Sequence, residues 1–172
     1  DIFLVTGNRP EIVSEKDQCR NAFVIAVATM GKSRILEEME KAGKWSGAEM
    51  EGKREVYQIQ VIEDPFSDMP EVKKALVIAG SDKRGTIYGL FGLSELCGVS
   101  PLLYWGDAAP EKKETVVLEL GEGICSKEPS VKYRGFFIND EWPAFGNWCT
   151  ETFGGVNAKA YEEIFILLLR LK

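Results

Sequence analysis

Apolar and polar positions alternate along the chain with recognisable periods. Residues 21–29, Asn21-Ala22-Phe23-Val24-Ile25-Ala26-Val27-Ala28-Thr29, form an almost wholly apolar run of strand length, which predicts a central strand buried on both faces. Ile35, Leu36, Met39 and Ala42 then recur at helical spacing, so 34–42 is a predicted helix stopped by Gly43. From Glu55 to Ile62 the chain alternates for most of its length, as a half-exposed strand does, and Asp64-Pro65 ends it. Residues 75–80 predict a second buried strand, 86–96 a helix closed by Gly98, and 115–120 an edge strand. The start, Asp1-Ile2-Phe3-Leu4-Val5-Thr6-Gly7, has the pattern of the last turns of a helix halted by glycine.

Strand, helix, strand, strand, helix, strand is the order of a small α/β domain with a mixed sheet and flanking helices, expected over residues 1–125. Residues 121–130 hold two Gly and one Pro, which places a linker at 126–130. Beyond it a new unit is expected over 131–172. Val131, Tyr133, Phe136, Phe137 and Ile138 predict a strand, followed by a loop rich in Gly, Trp and Phe and then an apolar helix over 159–171. Tyr161, Ile164, Phe165, Leu168 and Leu171 make one stripe of that helix, and Ile166, Leu167 and Leu169 spread apolar surface beyond it. Such a helix expects more protein around it, so this unit is predicted to be the opening βα element of a larger domain and both chain ends are expected to be cut.

Charge and composition narrow the partners. The chain has 172 residues, a formal net charge of -6 and a pI near 4.9. That disfavours nucleic acid, which needs a basic face, and gives no reason to expect an anionic membrane surface; polysaccharide binding needs no net charge, so a sugar ligand remains open. No signal peptide or membrane span is visible. The four cysteines, Cys19, Cys97, Cys125 and Cys149, form no CxxC pair, and the chain contains no histidine. Zinc spacing, His-ligated metal and a Cys-His dyad are therefore not expected, and no metal or cofactor is assigned. Gly31-Lys32-Ser33 resembles the end of a phosphate loop, but Ala26 stands where the first glycine is needed, so a helix start capped by Ser33 is preferred. A capped turn is likewise preferred to an anion site at Ser81-Asp82-Lys83-Arg84-Gly85-Thr86.

The best chemical candidates are Asn139, Asp140 and Glu141, at the predicted C-terminal end of a strand before a helix, where α/β proteins place their chemistry. Acid-catalysed glycoside cleavage needs one protonated and one ionised carboxyl across the bond. Neighbours on a strand point to opposite faces, and they sit too close for the roughly 6.5–9.5 Å separation of inverting enzymes. A partner acid from outside the chain is thus expected if the site is a glycosidase. Trp142, Phe145 and Trp148 suit a sugar platform or a hydrophobic plug, and Asn147 or Cys149 could orient either acid. The competing expectation is an acidic strand-to-loop turn with Trp142 and Pro143 packed on its end.

Several long motifs resemble glycoside hydrolase family 115. They are Ala75-Leu76-Val77-Ile78-Ala79-Gly80-Ser81-Asp82-Lys83-Arg84-Gly85-Thr86, Tyr104-Trp105-Gly106-Asp107, and Lys132-Tyr133-Arg134-Gly135-Phe136-Phe137-Ile138-Asn139-Asp140-Glu141-Trp142-Pro143, with Phe153-Gly154-Gly155 after them. The resemblance implies a small α/β first domain followed by the first βα unit of a (β/α)8 catalytic barrel. It implies a secreted or periplasmic, often dimeric bacterial enzyme that removes glucuronic acid or its 4-O-methyl ether from α-1,2 linkage to xylan with inversion. The implied partners are glucuronoxylan or its oligosaccharides. Asp140 and Glu141 are carried over as catalytic candidates, and Asn139, Trp142 and Trp148 as substrate-binding candidates. The chain alone is expected to be inactive. A carbohydrate-binding module using Trp45, Tyr104 or Trp105, or a purely structural accessory domain, are the rival expectations. A dinucleotide fold is disfavoured because no GxGxxG follows a strand.

Overall fold

In a computed structural model, which describes residues 1–172, the elements are α1 (Ile2–Thr6), β1 (Phe23–Thr29), α2 (Arg34–Lys41), β2 (Tyr57–Glu63), β3 (Lys74–Gly80), α3 (Lys83–Leu96), β4 (Ile124–Cys125), α4 (Ala144–Phe153) and α5 (Ala158–Leu171). The sheet is mixed and open, in the order β1-β3-β2-β4. β3 runs parallel to β1 and antiparallel to β2, with Ile78 opposite both Val27 and Ile59.

The apolar run of β3 explains its central place. Ala75, Val77 and Ala79 enter one core with Leu36 and Met39 of α2, while Leu76 and Ile78 enter the other with Leu93 of α3 and Val5 of α1. Helices therefore cover both faces of this strand. The same reasoning applied to β1 predicts a central strand, and the structure corrects it: β1 lies at the sheet edge. Its Ala26 and Ala28 are buried, but Phe23, Ile25 and Val27 are 52%, 38% and 43% exposed. An apolar run reports hydrophobicity; it does not report which strand pairs on either side.

Residues 115–120 show a second difference. Val116, Leu118 and Leu120 pack against the core while Val117 is exposed, so the predicted alternation is realised. The segment nonetheless makes no ladder, and the fourth strand forms at Ile124–Cys125, within the predicted Gly/Pro stretch. Ser126 extends that pairing, its N–H donating to the Tyr57 carbonyl at 2.8 Å and its Oγ accepting from the Tyr57 N–H at 2.9 Å.

Helix α3 begins at Lys83, earlier than its apolar stripe suggests, because the Asp82 carboxylate accepts from the Gly85 N–H at 2.8 Å. The capped turn expected there is thus present. The cap expected from Ser33 is not: its backbone is extended, but its side chain makes no capping hydrogen bond. Gly89 lets α3 lie close on the sheet, since a Cβ there would stand 2.6 Å from Ile78 Cγ2.

Residues 131–138 have strand-like composition but no sheet partner, and Tyr133 and Phe137 are 83% and 89% exposed. A strand is a paired object, and this segment lies against neither edge of the sheet. The loop expected after it is helix α4, which ends at Gly154 in the left-handed conformation (φ 78°). Helix α5 forms where the apolar periodicity predicts it, starts at the Asn157 cap and packs on α3, with Phe165 and Leu171 of its stripe left exposed. There Arg170 stacks on Phe91 and donates both Nη atoms to the Asp1 carboxylate at 2.9 Å.

Candidate active site

Asn139, Asp140 and Glu141 lie on the exposed stretch leading into α4. The turn is closed by the backbone: the Gly146 N–H donates to the Glu141 carbonyl at 3.0 Å and the Asn147 N–H to the Pro143 carbonyl at 3.2 Å. This sets Glu141 just ahead of a helix N-terminus, where a negative charge is favoured. Trp142 folds over Gly146, and any side chain at position 146 would collide with the indole. The outer part of the indole remains open, at 64% exposure.

Asp140 has a partner that the sequence did not reveal. The Tyr161 hydroxyl, from α5, donates to its Oδ2 at 3.3 Å. Burial pushes the Tyr161 phenol up, and the charge and hydrogen bond of Asp140 push in the same direction, so at neutral pH it stays a protonated donor. The available signal was a tyrosine inside an otherwise aliphatic and phenylalanine stripe, because a hydroxyl on an apolar face generally finds an acceptor. Tyr161 is braced by Phe145 and Phe165, with ring centroids 5.8 and 6.1 Å away.

The aromatic residues form one connected group. Trp148 lies 5.6 Å from Phe145, 5.3 Å from Phe153 and 5.1 Å from Trp105, and Trp105 meets Tyr104 edge-on at 5.2 Å. The structure therefore unites residues that the sequence offered to rival schemes, Trp105 and Tyr104 in one and Trp148 in the other. Trp148 is engaged in packing, whereas Trp142 presents an open face. Cys149 is fully buried on the inner side of α4, and burial pushes its thiol up, which suits packing rather than contact with the acids. Trp45 is also buried and its indole N–H donates to Gln58 Oε1 at 2.8 Å, so it offers no ring face to a sugar.

Upstream of the cluster, Arg134 joins the 131–138 segment to the sheet domain. Its Nη2 meets Glu55 Oε2 at 2.6 Å and Tyr88 Oη at 3.4 Å, and its Nη1 donates to the Val131 carbonyl at 3.0 Å. Arg84 takes the other Glu55 oxygen at 2.9 Å. Burial alone would push the Glu55 carboxyl up; the hydrogen bonds and charges of Arg134 and then Arg84 outweigh it and hold the group below its ordinary value. A groove of about 510 Å³ opens beside this network, floored by Phe136, Phe165 and Leu168. It does not include the acidic cluster.

The comparisons with known proteins bear on the same region. The sequence model of Glycosyl hydrolase family 115 matches residues 126–172, which include the acidic cluster, α4 and α5. A solved structure described as a novel family GH115 4-O-methyl-alpha-glucuronidase with specificity for decorated arabinogalactans is 39% identical, with a TM-score of 0.69 over 86% of this chain. The chain belongs to glycoside hydrolase family 115. It spans 18% of the length of that solved relative, and no curated protein matches it. The small mixed α/β domain of this family 115 chain, with its open sheet, is followed by α4 and α5 rather than by a closed barrel. No helix is long and apolar enough to cross a membrane.

Proposed function

We propose that this chain supplies the first wall of the active site of a family 115 glycoside hydrolase. The whole protein hydrolyses α-1,2-linked glucuronic acid or 4-O-methylglucuronic acid from a plant polysaccharide with inversion. In this reading residues 1–125 are an accessory α/β domain, 126–130 a linker and 131–172 the first βα unit of the catalytic barrel. The observation that carries it is the family match over 126–172, which spans the exposed acids at the entry to α4.

Asp140 and Glu141 contact the uronic acid or the attacking water. Asn139 supplies amide hydrogen bonds to sugar hydroxyls, and the open face of Trp142 stacks on pyranose C–H groups while excluding water. Trp148 supports the pocket from the aromatic group behind it. The second carboxyl that inversion demands, about 6.5–9.5 Å across the scissile bond, comes from a later part of the barrel. The protein is secreted or periplasmic and acts as a homodimer.

Glucuronoxylan or its oligosaccharides are the substrates. A decorated arabinogalactan is the second candidate, favoured by what the solved relative acts on. The test uses the whole family 115 protein carrying this chain. Release of glucuronic and 4-O-methylglucuronic acid is measured from glucuronoxylan and from arabinogalactan, for wild type, Asp140→Asn and Glu141→Gln. Loss of roughly 10²–10⁴-fold in kcat on either substitution, with folding intact, is expected for a group in acid–base chemistry. Full activity in both variants would return the cluster to a structural turn, and no uronic acid from either polymer would defeat the glycosidase reading.

A further inference from the structure

Residues 131–138 lead straight into the acidic cluster, yet no backbone ladder holds them. Their polar tie to the sheet domain is the side chain of Arg134. One guanidinium reaches the Val131 carbonyl at 3.0 Å, the Lys172 carbonyl at 3.3 Å, Tyr88 Oη at 3.4 Å and Glu55 Oε2 at 2.6 Å. It therefore binds its own turn, the end of α5, helix α3 and the start of β2 together. A planar fork of donors can do this; a lysine ammonium on a flexible stem cannot.

The other end of the tie is rigid. Glu55 is the one buried charged residue of the chain, at 6% exposure. Its backbone lies in the left-handed region (φ 58°), a conformation that a glutamate keeps only when its surroundings impose it. Asp82 imposes it: one carboxylate oxygen accepts from the Glu55 N–H at 2.9 Å while the other caps α3 through the Gly85 N–H at 2.8 Å. A continuous chain of contacts thus runs from the α3 cap through Asp82, Glu55 and Arg134 into the segment that carries the acids.

We propose that Glu55, acting through Arg134, is a positioning residue for the Asn139-Asp140-Glu141 cluster, so that the sheet domain sets the geometry of a site it does not itself line. The proposal rests on the glycosidase reading of that cluster. The lever is short: the five residues from Arg134 to Asn139 span at most about 17 Å. A displacement of about 1 Å at a reacting group costs on the order of 10²-fold in rate.

Two readouts on the whole protein separate this anchor from simple stabilisation and from failure of the functional reading. Hydrogen–deuterium exchange is measured across residues 135–141 and across β2 and β3, and kcat and KM are measured for uronic acid release. The variants are Glu55→Gln, Arg134→Lys, which keeps the charge but loses the fork, and Arg84→Met, which frees the other Glu55 oxygen and removes no hydrogen bond of the 131–138 segment. Glu55→Gln and Arg134→Lys are expected to raise exchange at 135–141 about tenfold beyond any rise across β2 and β3, which follows global stability. They are expected to lower kcat about tenfold at near-constant KM, and Arg84→Met to do neither. Unchanged exchange at 135–141 in Arg134→Lys overturns the anchor whatever the activity. Faster exchange with unchanged kcat overturns its bearing on the reaction. An inactive wild type with faster exchange in the variants defeats the glycosidase reading and leaves the anchor standing.

Discussion

Glu55 shows how one side chain can link pH to stability. Arg134 and Arg84 face its carboxylate, Tyr88 stands beside Arg134, and Asp82 holds its backbone. Its folded-state value lies below the ordinary 4.5, so its contribution to stability is present above that pH and is lost as pH falls through the folded value. Above about pH 5, wild type should exceed Glu55→Gln by about 1–2 kcal/mol in urea unfolding, the low end being set by the solvated Arg84. The gap should close as the pH drops below 4.5; a gap independent of pH would mean that the ion pairs contribute nothing. Tyr161 bears on the proposed site through its hydrogen bond to Asp140. Tyr161→Phe removes the only hydroxyl seen on Asp140 while keeping the ring between Phe145 and Phe165. Steady-state release of uronic acid by the whole protein should fall by about fivefold, with the melting temperature little changed.

Helix α3 is the element on which the rest is assembled. One side rests on β3 and β2 through glycines, and the other receives α5. A Cβ on Gly89 would stand 2.6 Å from Ile78 Cγ2 and 3.2 Å from Tyr57 Cβ, both closer than ordinary contact. Gly89→Ala should therefore destabilise by about 1–3 kcal/mol in chemical denaturation, overpacking outweighing the gain in helix propensity. A stabilised variant would show that α3 can lift off the sheet freely. The segment at 115–120 is instructive beside it. Burial of Val116, Leu118 and Leu120 requires an extended conformation with side chains on alternate faces. It does not require backbone pairing, which depends on where a neighbouring edge lies, and Ile124–Cys125 occupies the β2 edge instead.

Across the whole molecule, large apolar side chains stand open, several of them on the 131–142 segment and on α5. Tyr133, Phe137, Trp142 and Phe165 are 83%, 89%, 64% and 57% exposed. The 172-residue polypeptide alone should bind an apolar fluorescent dye in its folded state and release no uronic acid from glucuronoxylan; measurable release would mean that the acids here suffice. Local order alone decided a good deal of this protein. The periodicities of α2, α3 and α5, the alternation of β2, the burial of β3 and the cap at Asp82 are set by residues a few positions apart, and so are legible in the sequence. Asn139, Asp140 and Glu141 stand out in the sequence by residue type alone, as two carboxylates beside an amide and a tryptophan, and the structure adds that they are exposed. What only the tertiary structure decided are the relations between distant residues. These are the edge position of β1, the pairing of β4, the union of Trp105 with Trp148, the hydroxyl of Tyr161 on Asp140, and the meeting of Glu55 with Arg134 across 79 positions of sequence. Each depends on which surfaces the packed helices and sheet bring within hydrogen-bond or van der Waals reach, a property of the assembled chain that no local pattern encodes.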